Sequence, residues 1–307
     1  MHYSLAIHGG AGTITRSLIT EKQELGYKEG LKEALFVGES VLKKGGSALD
    51  AVEIAVKVLE DNPLFNAGRG SVFSHDGFHE MEASIMDGSS MKAGAVACVR
   101  NVKNPIYLSR LVMEKSGYVY MVAKGAEDFA RKWDVPIEPD EYFFTDQRYE
   151  QLMEIRDSEK VLIDHSAEQK FGTVGAVAVD KKGNLASATS TGGLTNKRYG
   201  RLGDSSVIGS GTYANNNTCA VSCTGYGEYF LRSVVAHDIS CLMEYKGLSL
   251  KDACHEVVMN KLVKLGGEGG IIAVDKHGNV ELVFNSEGMY RGMVSSKENK
   301  SGVWIYK

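Results

Sequence analysis

The sequence has few prolines, no apolar run long enough to cross a membrane and no leader-like N-terminus. Proline accounts for only 4 of the 307 residues. A transmembrane helix needs about 20 consecutive apolar residues, whereas the apolar run at 175–179 has the length of a buried strand and no run in the sequence approaches a span. Residues 1–4 provide neither the basic lead nor the small-residue cleavage site of a secretory signal peptide. These absences predict a cytoplasmic protein with no membrane partner.

Excess positive charge and paired cysteines are also missing. The chain has 35 Lys and Arg against 39 Asp and Glu, a formal net charge of −4, so there is no electrostatic reason to expect a nucleic-acid partner. The cysteines are odd in number and form no C-x-x-C pair, which predicts reduced, buried thiols in a cytosolic protein. They are Cys98, Cys219, Cys223, Cys241 and Cys254.

Glycine, in contrast, is abundant. Hydrophobic residues make up 43% of the chain and charged residues 24%, which is the composition of a globular protein rather than a disordered one. Glycine contributes 35 residues, above the usual share of about 7%. Because glycine adopts positive φ and lets other groups approach the backbone closely, its clusters mark turns or close contacts.

The hydrophobic pattern predicts an α/β protein in which helices cover sheets, without strict β-α-β alternation. A polar stretch at 157–170 is predicted to be a linker. Apolar spacing and cap signals predict helices at 21–43, 47–59, 105–115, 126–133, 145–156, 228–245 and 250–265. Short apolar runs predict strands at 3–8, 93–99, 118–123, 175–180, 185–190, 271–275 and 280–284, with a hairpin at 72–86 around Asp76 and Gly77.

Two cofactor-like motifs are better explained by ordinary structure. Residues 209–214 match G-x-G-x-x-A, but three asparagines follow where a dinucleotide site needs a helix. His75 and His79, next to Glu80, have metal-like spacing only on a helix, and the intervening Asp76 and Gly77 predict exposed hairpin residues instead. The sequence has no G-x-S-x-G elbow and no Walker lysine.

A pattern of threonine and glycine is more informative. Thr173 follows the predicted linker at the head of a strand, and Thr191 ends the strand that would pair with it. In a hairpin turning at 181–184 these two threonines lie opposite each other. Arg201 and Asp204 follow in GRLGD. Threonine in a strand is ordinary taken singly, but the combination of these segments in this order does not look accidental.

Nine segments in register give the chain a family resemblance that runs nearly end to end. On them the chain resembles the plant-type asparaginase/isoaspartyl peptidase family of N-terminal-nucleophile hydrolases, and bacterial isoaspartyl peptidases in particular. The segments are HGGAG at 8–12, LFNAGRGS at 64–71, MDGSSMKAGAVA at 86–97, NPIYLSRLVME at 104–114, GTVGAVAVD at 172–180, ATSTGG at 188–193, GRLGD at 200–204, SCTGYGE at 222–228 and NSEGMYRG at 285–292.

The resemblance implies a fold and a processing step. The fold would be a four-layer αββα sandwich, two packed sheets with helices on both outer faces, formed by one domain over residues 1–307. Self-cleavage between Gly172 and Thr173 would give an α subunit, 1–172, and a β subunit, 173–307. Glycine at 172 suits the strained backbone that an N→O acyl shift needs.

The resemblance also makes Thr173 the nucleophile. A threonine hydroxyl needs an adjacent base, and the amide nitrogen of an uncut Thr173 cannot serve as one. After cleavage that nitrogen becomes a free amine with a reference pKa of about 7.7–8.0. Thr173 would then supply both nucleophile and base, so the precursor would be inactive.

The remaining catalytic roles also follow from the resemblance. Thr191 would hydrogen-bond the Thr173 hydroxyl, and Asn66 would help to orient Thr173. The Thr224 hydroxyl and the Gly225 N–H would form the oxyanion hole.

A pair of charged side chains would recognise the substrate. Arg201 would bind the α-carboxylate, because guanidinium matches a carboxylate bidentately. Asp204, with the Gly227 carbonyl, would bind the α-ammonium. The implied substrates are therefore β-aspartyl (isoaspartyl) dipeptides with a free N-terminus and L-asparagine, both cleaved through a β-aspartyl-Thr173 ester.

The family resemblance further implies a sodium-binding loop and an oligomer. No cofactor is expected for catalysis, but a structural Na⁺ would be bound by main-chain carbonyls. The partner would be a second cleaved protomer in an (αβ)₂ assembly. The implied sodium ligands are Leu59, Glu60, Asn62, Phe65, Ala67 and Arg69.

Three residues depart from the family pattern and two alternative functions remain. Tyr226, Ser206 and Arg69 replace smaller residues or a proline, which leaves the preference between dipeptides and asparagine open. One alternative is a glycosylasparaginase-like amidase, although such enzymes are usually exported and disulfide-bonded. The other is an uncleaved, non-enzymatic protein that uses the same pocket to bind a ligand; a threonine endopeptidase suits Arg201 and Asp204 less well.

Overall fold

Two β-sheets lie face to face in the protein. The computed structural model describes residues 2–157 and 172–307, so the predicted linker, apart from Asp157, lies outside the described residues. The larger sheet has the spatial order β12 (Lys300–Tyr306), β11 (Gly288–Ser295), β1 (Ser4–Gly12), β5 (Val174–Val179), β6 (Leu185–Thr191), β2 (Met81–Asp87), β3 (Ala93–Val99) and β4 (Tyr120–Val122). The smaller sheet has the order β10 (Val280–Phe284), β9 (Gly269–Asp275), β8 (Cys219–Gly225) and β7 (Thr212–Ala214).

Helices cover the outer face of each sheet. The larger sheet packs against α1 (Glu21–Lys43), α2 (Ala48–Asp61), α3 (Pro105–Lys115) and α4 (Ala123–Lys132). Two further helices, α5 (Asp140–Phe143) and α6 (Asp146–Ile155), precede the undescribed segment. The smaller sheet is covered by α8 (Val235–Lys246), α9 (Leu250–His255) and the π-helical segment Glu256–Leu262, with α7 (Gly227–Ser233) at its end. The predicted αββα sandwich is confirmed.

Strand β5 shows why the sequence folds into layers. Val174, Ala176 and Ala178 belong to the core between the larger sheet and its helices. Val177 and Val179 belong to the core between the two sheets. Successive side chains of a strand point to opposite faces, so a strand buried on both faces has a continuous apolar sequence. Strand β5 therefore lies in the middle of the sandwich.

Helix signals in the sequence are confirmed where they are strong. Helix α1 spans Glu21–Lys43 and begins with a Thr20–Gln23 capping box. Helix α2 begins after Ser47, whose side chain accepts a hydrogen bond from the Asp50 N–H. Helix α3 begins at Pro105 as predicted.

Two predicted elements are wrong in detail. The helix predicted at 228–245 is divided into α7 and α8 at Val234, which has a left-handed backbone with φ +50°. The hairpin predicted at 72–86 keeps a turn at 74–77, but its first arm is not a strand, and β2 pairs with β3 and β6 instead. Strands β7, β8, β11 and β12 were not predicted. Over residues 2–157 and 172–307, no helix combines the length and apolar character that a bilayer-crossing segment needs.

Candidate active site

Thr173 and Thr191 face each other at one end of the central hairpin. Strands β5 and β6 pair with Val174 opposite Ser190, so the preceding and following threonines meet. The Thr173 Oγ1 hydroxyl donates to Thr191 Oγ1 over 3.3 Å, and the Thr191 hydroxyl donates to the Gly172 carbonyl over 2.9 Å. The predicted contact is confirmed, and it connects the Thr173 hydroxyl to the carbonyl of the preceding peptide bond.

Asn66 supplies a second donor to the same carbonyl. Its Nδ2 donates to Gly172 O over 2.9 Å and to Gly193 O over 2.8 Å, while its Oδ1 accepts from the Val72 N–H over 2.9 Å. All the amide groups of Asn66 are used, so its orientation is fixed. A Cβ at position 172 would lie 2.7 Å from Asn66 Cβ. Glycine is needed at 172 because Asn66 approaches it closely, whereas its φ is not in the left-handed region.

A buried histidine that the sequence analysis did not assign holds the other side of Thr173. His8 Nδ1 lies 2.9 Å from the Thr173 carbonyl oxygen, and His8 Nε2 lies 2.9 Å from Ser222 Oγ. A carbonyl only accepts, so Nδ1 carries the proton and Nε2 accepts from the serine. Burial lowers the pKa of His8 to about 3, which keeps the ring neutral at physiological pH. The HGGAG motif was the available signal.

The residues predicted for the oxyanion hole lie at the end of β8 in the facing sheet. The Thr224 hydroxyl oxygen accepts from the Ala11 N–H over 3.2 Å, which leaves the hydroxyl hydrogen for another partner. Gly225 has φ +154°, and a side chain there would clash with the Glu268 carbonyl. Gly225 lines the same cleft as Thr173.

Arg201 and Asp204 enter this cleft beside Gly227. Arg201 Nε and Nη2 donate to the two Glu228 carboxylate oxygens over 2.9 and 2.8 Å. Burial raises the pKa of Asp204 to about 8, and its Oδ2 has no hydrogen-bond partner among the described residues. A Cβ at Gly227 would lie 2.8 Å from Asp204 Oδ1 and 3.1 Å from Arg201 Nη2. Glycine at 227 therefore lets both groups reach the cleft.

The sequence analysis also missed two carboxylates in this region. Glu228, already described, holds Arg201. Glu82, on β2, accepts from the Gly203 N–H over 2.9 Å and from Ser206 Oγ over 2.6 Å. It lines the cleft together with Thr173. Glu228 ends the SCTGYGE segment, but no spacing rule connects it to Arg201. Glu82 lies in the predicted hairpin, where no sequence motif marks it as a site residue.

Comparison with known proteins identifies the family. A family model described as Asparaginase matches residues 1–303. The chain belongs to this asparaginase family. It is 55% identical over 292 residues to the isoaspartyl peptidase of Salmonella typhimurium, covering 94% of this chain and 93% of that protein. The isoaspartyl peptidase of Escherichia coli is 54% identical over 94% of this chain and 91% of its own length. An isoaspartyl peptidase/L-asparaginase of Xenopus laevis is 42% identical over 98% of this chain and 94% of its own length.

The predicted sodium loop forms a tight curl after α2. Gly68 has φ +51°, and a side chain there would clash with the Glu60 carbonyl; one at Gly70 would clash with the Phe65 carbonyl. Main-chain carbonyls are hard oxygen ligands of the kind that alkali and alkaline-earth cations take. The six predicted residues lie at the end of α2 and in this curl, and their role as cation ligands stays a prediction. The buried guanidinium of Arg148, on α6, donates to Gly70 O over 2.9 Å and to Leu64 O over 3.3 Å.

The histidines of the predicted hairpin are not both exposed. His79 is 6% exposed, and its ring centroid lies 3.9 Å from that of Phe73, so the prediction of an exposed residue is wrong there. Burial lowers the pKa of His79 to about 4. His75 is half-buried and its Nδ1 lies 2.8 Å from Asn196 Oδ1. Within the described residues, no three His, Cys, Asp or Glu side chains are placed to hold a metal ion.

Proposed function

We propose that the protein is a self-cleaving threonine hydrolase that releases aspartate from β-aspartyl dipeptides and from L-asparagine. The observation that carries this proposal is the hydrogen-bonded series from the Thr173 hydroxyl through Thr191 to the Gly172 carbonyl. Relatives named isoaspartyl peptidase, 54–55% identical over most of the chain, support the same reaction. The relative from Xenopus laevis adds L-asparaginase to that name.

Self-cleavage is the first step. The Thr173 oxygen attacks the Gly172 carbonyl carbon, and the negative charge that develops on Gly172 O is stabilised by Asn66 Nδ2 and the Thr191 hydroxyl. The C–N bond between residues 172 and 173 breaks, the hydroxyl proton passes to the departing nitrogen, and an ester forms. Water hydrolyses the ester, which leaves the Gly172 carboxylate and a free Thr173 amine beside its own hydroxyl.

Substrate hydrolysis repeats this chemistry on an external carbonyl. The Thr173 amine takes the proton from the Thr173 hydroxyl while the oxygen attacks the side-chain carbonyl of the aspartyl residue. The Thr224 hydroxyl and the Gly225 N–H stabilise the oxyanion. The amine returns the proton to the leaving nitrogen, and either an amino acid or ammonia departs. Water then attacks the β-aspartyl ester on Thr173 and releases aspartate.

The charged pair holds the α groups of the substrate. The Nη1 of Arg201 points to the cleft between Gly193 and Gly203, because a Cβ at these glycines would lie 3.6 and 3.2 Å from it. This nitrogen is not used by Glu228, so it meets the α-carboxylate. An approaching α-ammonium lowers the raised pKa of Asp204 and pairs with its carboxylate.

Processing, assembly and location complete the proposal. Cleavage divides one domain into residues 1–172 and 173–307, and the mature protein is an (αβ)₂ assembly in the cytoplasm. A structural sodium ion is held by the carbonyls of the loop after α2 and supplies no chemistry to the reaction. The ion would have a structural role, which is to hold the loop that carries Asn66.

Intact mass and N-terminal sequencing of the purified protein, beside Thr173→Ala, test the proposal. We expect a fragment that begins Thr-Val-Gly-Ala in the parent only, together with release of aspartate from β-aspartyl-leucine. An uncut chain that still hydrolyses β-aspartyl-leucine would contradict the free-amine mechanism. An uncut and inert chain would favour a stalled precursor or a ligand-binding protein.

A further inference from the structure

A buried carboxylate lies directly beside the threonine pair. Strands β2 and β6 pair with Glu82 opposite Thr191, and directly paired residues project their side chains to the same face of a sheet. Glu82 is 1% exposed and lines the cleft with Thr173. Its carboxylate therefore projects into the space where a substrate would bind.

Neutral donors hold this carboxylate. Its Oε1 accepts from the Gly203 N–H over 2.9 Å and its Oε2 from Ser206 Oγ over 2.6 Å. Ser206 in turn lies 2.6 Å from the Tyr120 hydroxyl, which donates because the serine proton is used. Ser206 is one of the residues that depart from the family pattern, in which a proline with no hydroxyl is common.

Among the described residues, no cationic side chain forms a direct ion pair with the Glu82 carboxylate. No Lys, Arg or His nitrogen among those residues lies within 4.0 Å of a Glu82 oxygen. The nearby Arg201 is bound to Glu228. Lys197 and Arg201 attract Glu82 from beyond that distance. A buried carboxylate is costly unless opposite charge compensates it, and a bound ammonium group would add a direct ion pair to these longer-range attractions.

The two charged groups of the cleft face each other across Gly203. A Cβ at that position would lie 3.2 Å from Glu82 Oε1 and 3.2 Å from Arg201 Nη1. An amino acid bound with its α-carboxylate at Arg201 brings its α-ammonium to the acidic side of the cleft. Asp204 is also there, but burial raises its pKa to about 8, which favours its neutral form in the empty cleft.

We propose that Glu82 is a specificity-determining residue that supplies a fixed negative charge for the substrate α-ammonium group, in addition to Asp204. The proposal rests on the proposed function, because it concerns the same cleft. Glu82 thereby selects zwitterionic β-aspartyl compounds over analogues that lack the amino group. Ser206 and Tyr120 act through Glu82 as positioning residues.

Competitive inhibition by two small ligands tests this charge. L-Aspartate is the product, and succinate is the same molecule without its amino group. The measured quantity is the ratio of their inhibition constants against β-aspartyl-leucine hydrolysis by the cleaved enzyme. Glu82→Gln keeps the shape and an acceptor for the Gly203 N–H, while its amide nitrogen donates to Ser206 Oγ instead of accepting from it. We expect it to lower the preference for aspartate about tenfold, the loss of one charge-assisted contact. Glu80→Gln removes the same charge two residues away, outside the cleft lining, and should keep the ratio.

Ser206 variants provide a second measurement, which also serves if Glu82→Gln does not self-cleave. Ser206→Ala removes the donor to Glu82 Oε2 and should lower the ratio about threefold, whereas Ser206→Thr keeps the hydroxyl and the ratio. A Glu82→Gln enzyme with the parental ratio, or one in which both ligands weaken equally, overturns the proposal. A parent that does not hydrolyse β-aspartyl-leucine would instead overturn the proposed function.

Discussion

Replacing Thr191 by valine tests the proposed self-cleavage most directly, because valine has nearly the same shape and lacks only the hydroxyl. That hydroxyl accepts from Thr173 Oγ1 over 3.3 Å and from the Gly193 N–H over 3.0 Å, and it donates to Gly172 O over 2.9 Å. The substitution removes one of two side-chain donors to the carbonyl on which negative charge develops. Asn66 Nδ2 keeps the other, at 2.9 Å.

Loss of one such donor slows acyl-transfer reactions by about 10²–10³, equivalent to about 2.7–4 kcal/mol of transition-state stabilisation. We therefore expect Thr191→Val to cleave at a rate reduced by about that factor and still measurable, because Asn66 remains. The Gly193 N–H loses its acceptor, which should lower the free energy of unfolding by about 1–3 kcal/mol.

The assay follows the uncut fraction by denaturing electrophoresis and intact mass after the precursor is purified in the cold. Thr191→Ser is the matched control, since it keeps the hydroxyl and should cleave close to the parental rate. Circular dichroism and thermal unfolding check that both variants fold. If a folded Thr191→Val precursor matures as fast as the parent, the hydroxyl does not assist the step and the reasoning from the hydrogen bonds is wrong.

Three further substitutions probe buried polar groups by urea unfolding or by cleavage rate. His8→Leu removes a group whose pKa falls to about 3 in the folded state. In the unfolded chain this histidine takes up a proton as pH drops below about 6.5, so the parent should lose up to about 1.4 kcal/mol of unfolding free energy per pH unit, which the variant keeps. Equal slopes of unfolding free energy against pH for the two proteins between pH 6 and 4.5 would contradict this. Burial raises the pKa of Glu60 to about 8, so the parent should lose stability as pH rises from about 4 to 8. Glu60→Gln should be about 2–3 kcal/mol more stable than the parent at pH 8 but not at pH 4. A gain in stability at both pH values would show that packing, not the charge, is responsible. Arg148→Met leaves two loop carbonyls without a buried donor and should lower stability by about 2–5 kcal/mol. It should also slow cleavage, because the loop carries Asn66. Unchanged cleavage in a folded variant would show that the loop keeps its shape without the guanidinium.

Local pairing made part of the site predictable. Thr173 and Thr191 are separated by a short hairpin, so the turn sets the register and the register brings the hydroxyls together. Apolar runs buried on both faces identified β5 and β3, and Ser47 and Pro105 located the starts of α2 and α3. These features depend on residues that are close in sequence.

The partners that complete the site come from distant segments, and no local pattern connects them. His8 meets the Thr173 carbonyl across 165 positions, and Glu82 meets Ser206 across 124. Strands β11 and β12 contain Gly288, Gly292 and Gly302, which interrupt the apolar alternation. Val234 shows no sign in the sequence of its left-handed backbone, because a β-branched residue is unfavourable there.

The order of strands in the larger sheet has a consequence for the fate of a cut chain. Across the described residues, β1 from before the bond at 172–173 lies between β11 and β5 from after it, and three strand pairs join the two pieces: β1 with β11, β1 with β5, and β2 with β6. The pieces interlock, so a cleaved protomer holds together without a covalent link while it stays folded. Unfolding, however, separates two molecules instead of relaxing one. The midpoint of thermal unfolding should then rise with protein concentration, and recovery after heating should require both pieces to meet and interleave again. If the proposed cleavage takes place, covalent continuity is needed once, during folding, and the activating reaction removes it.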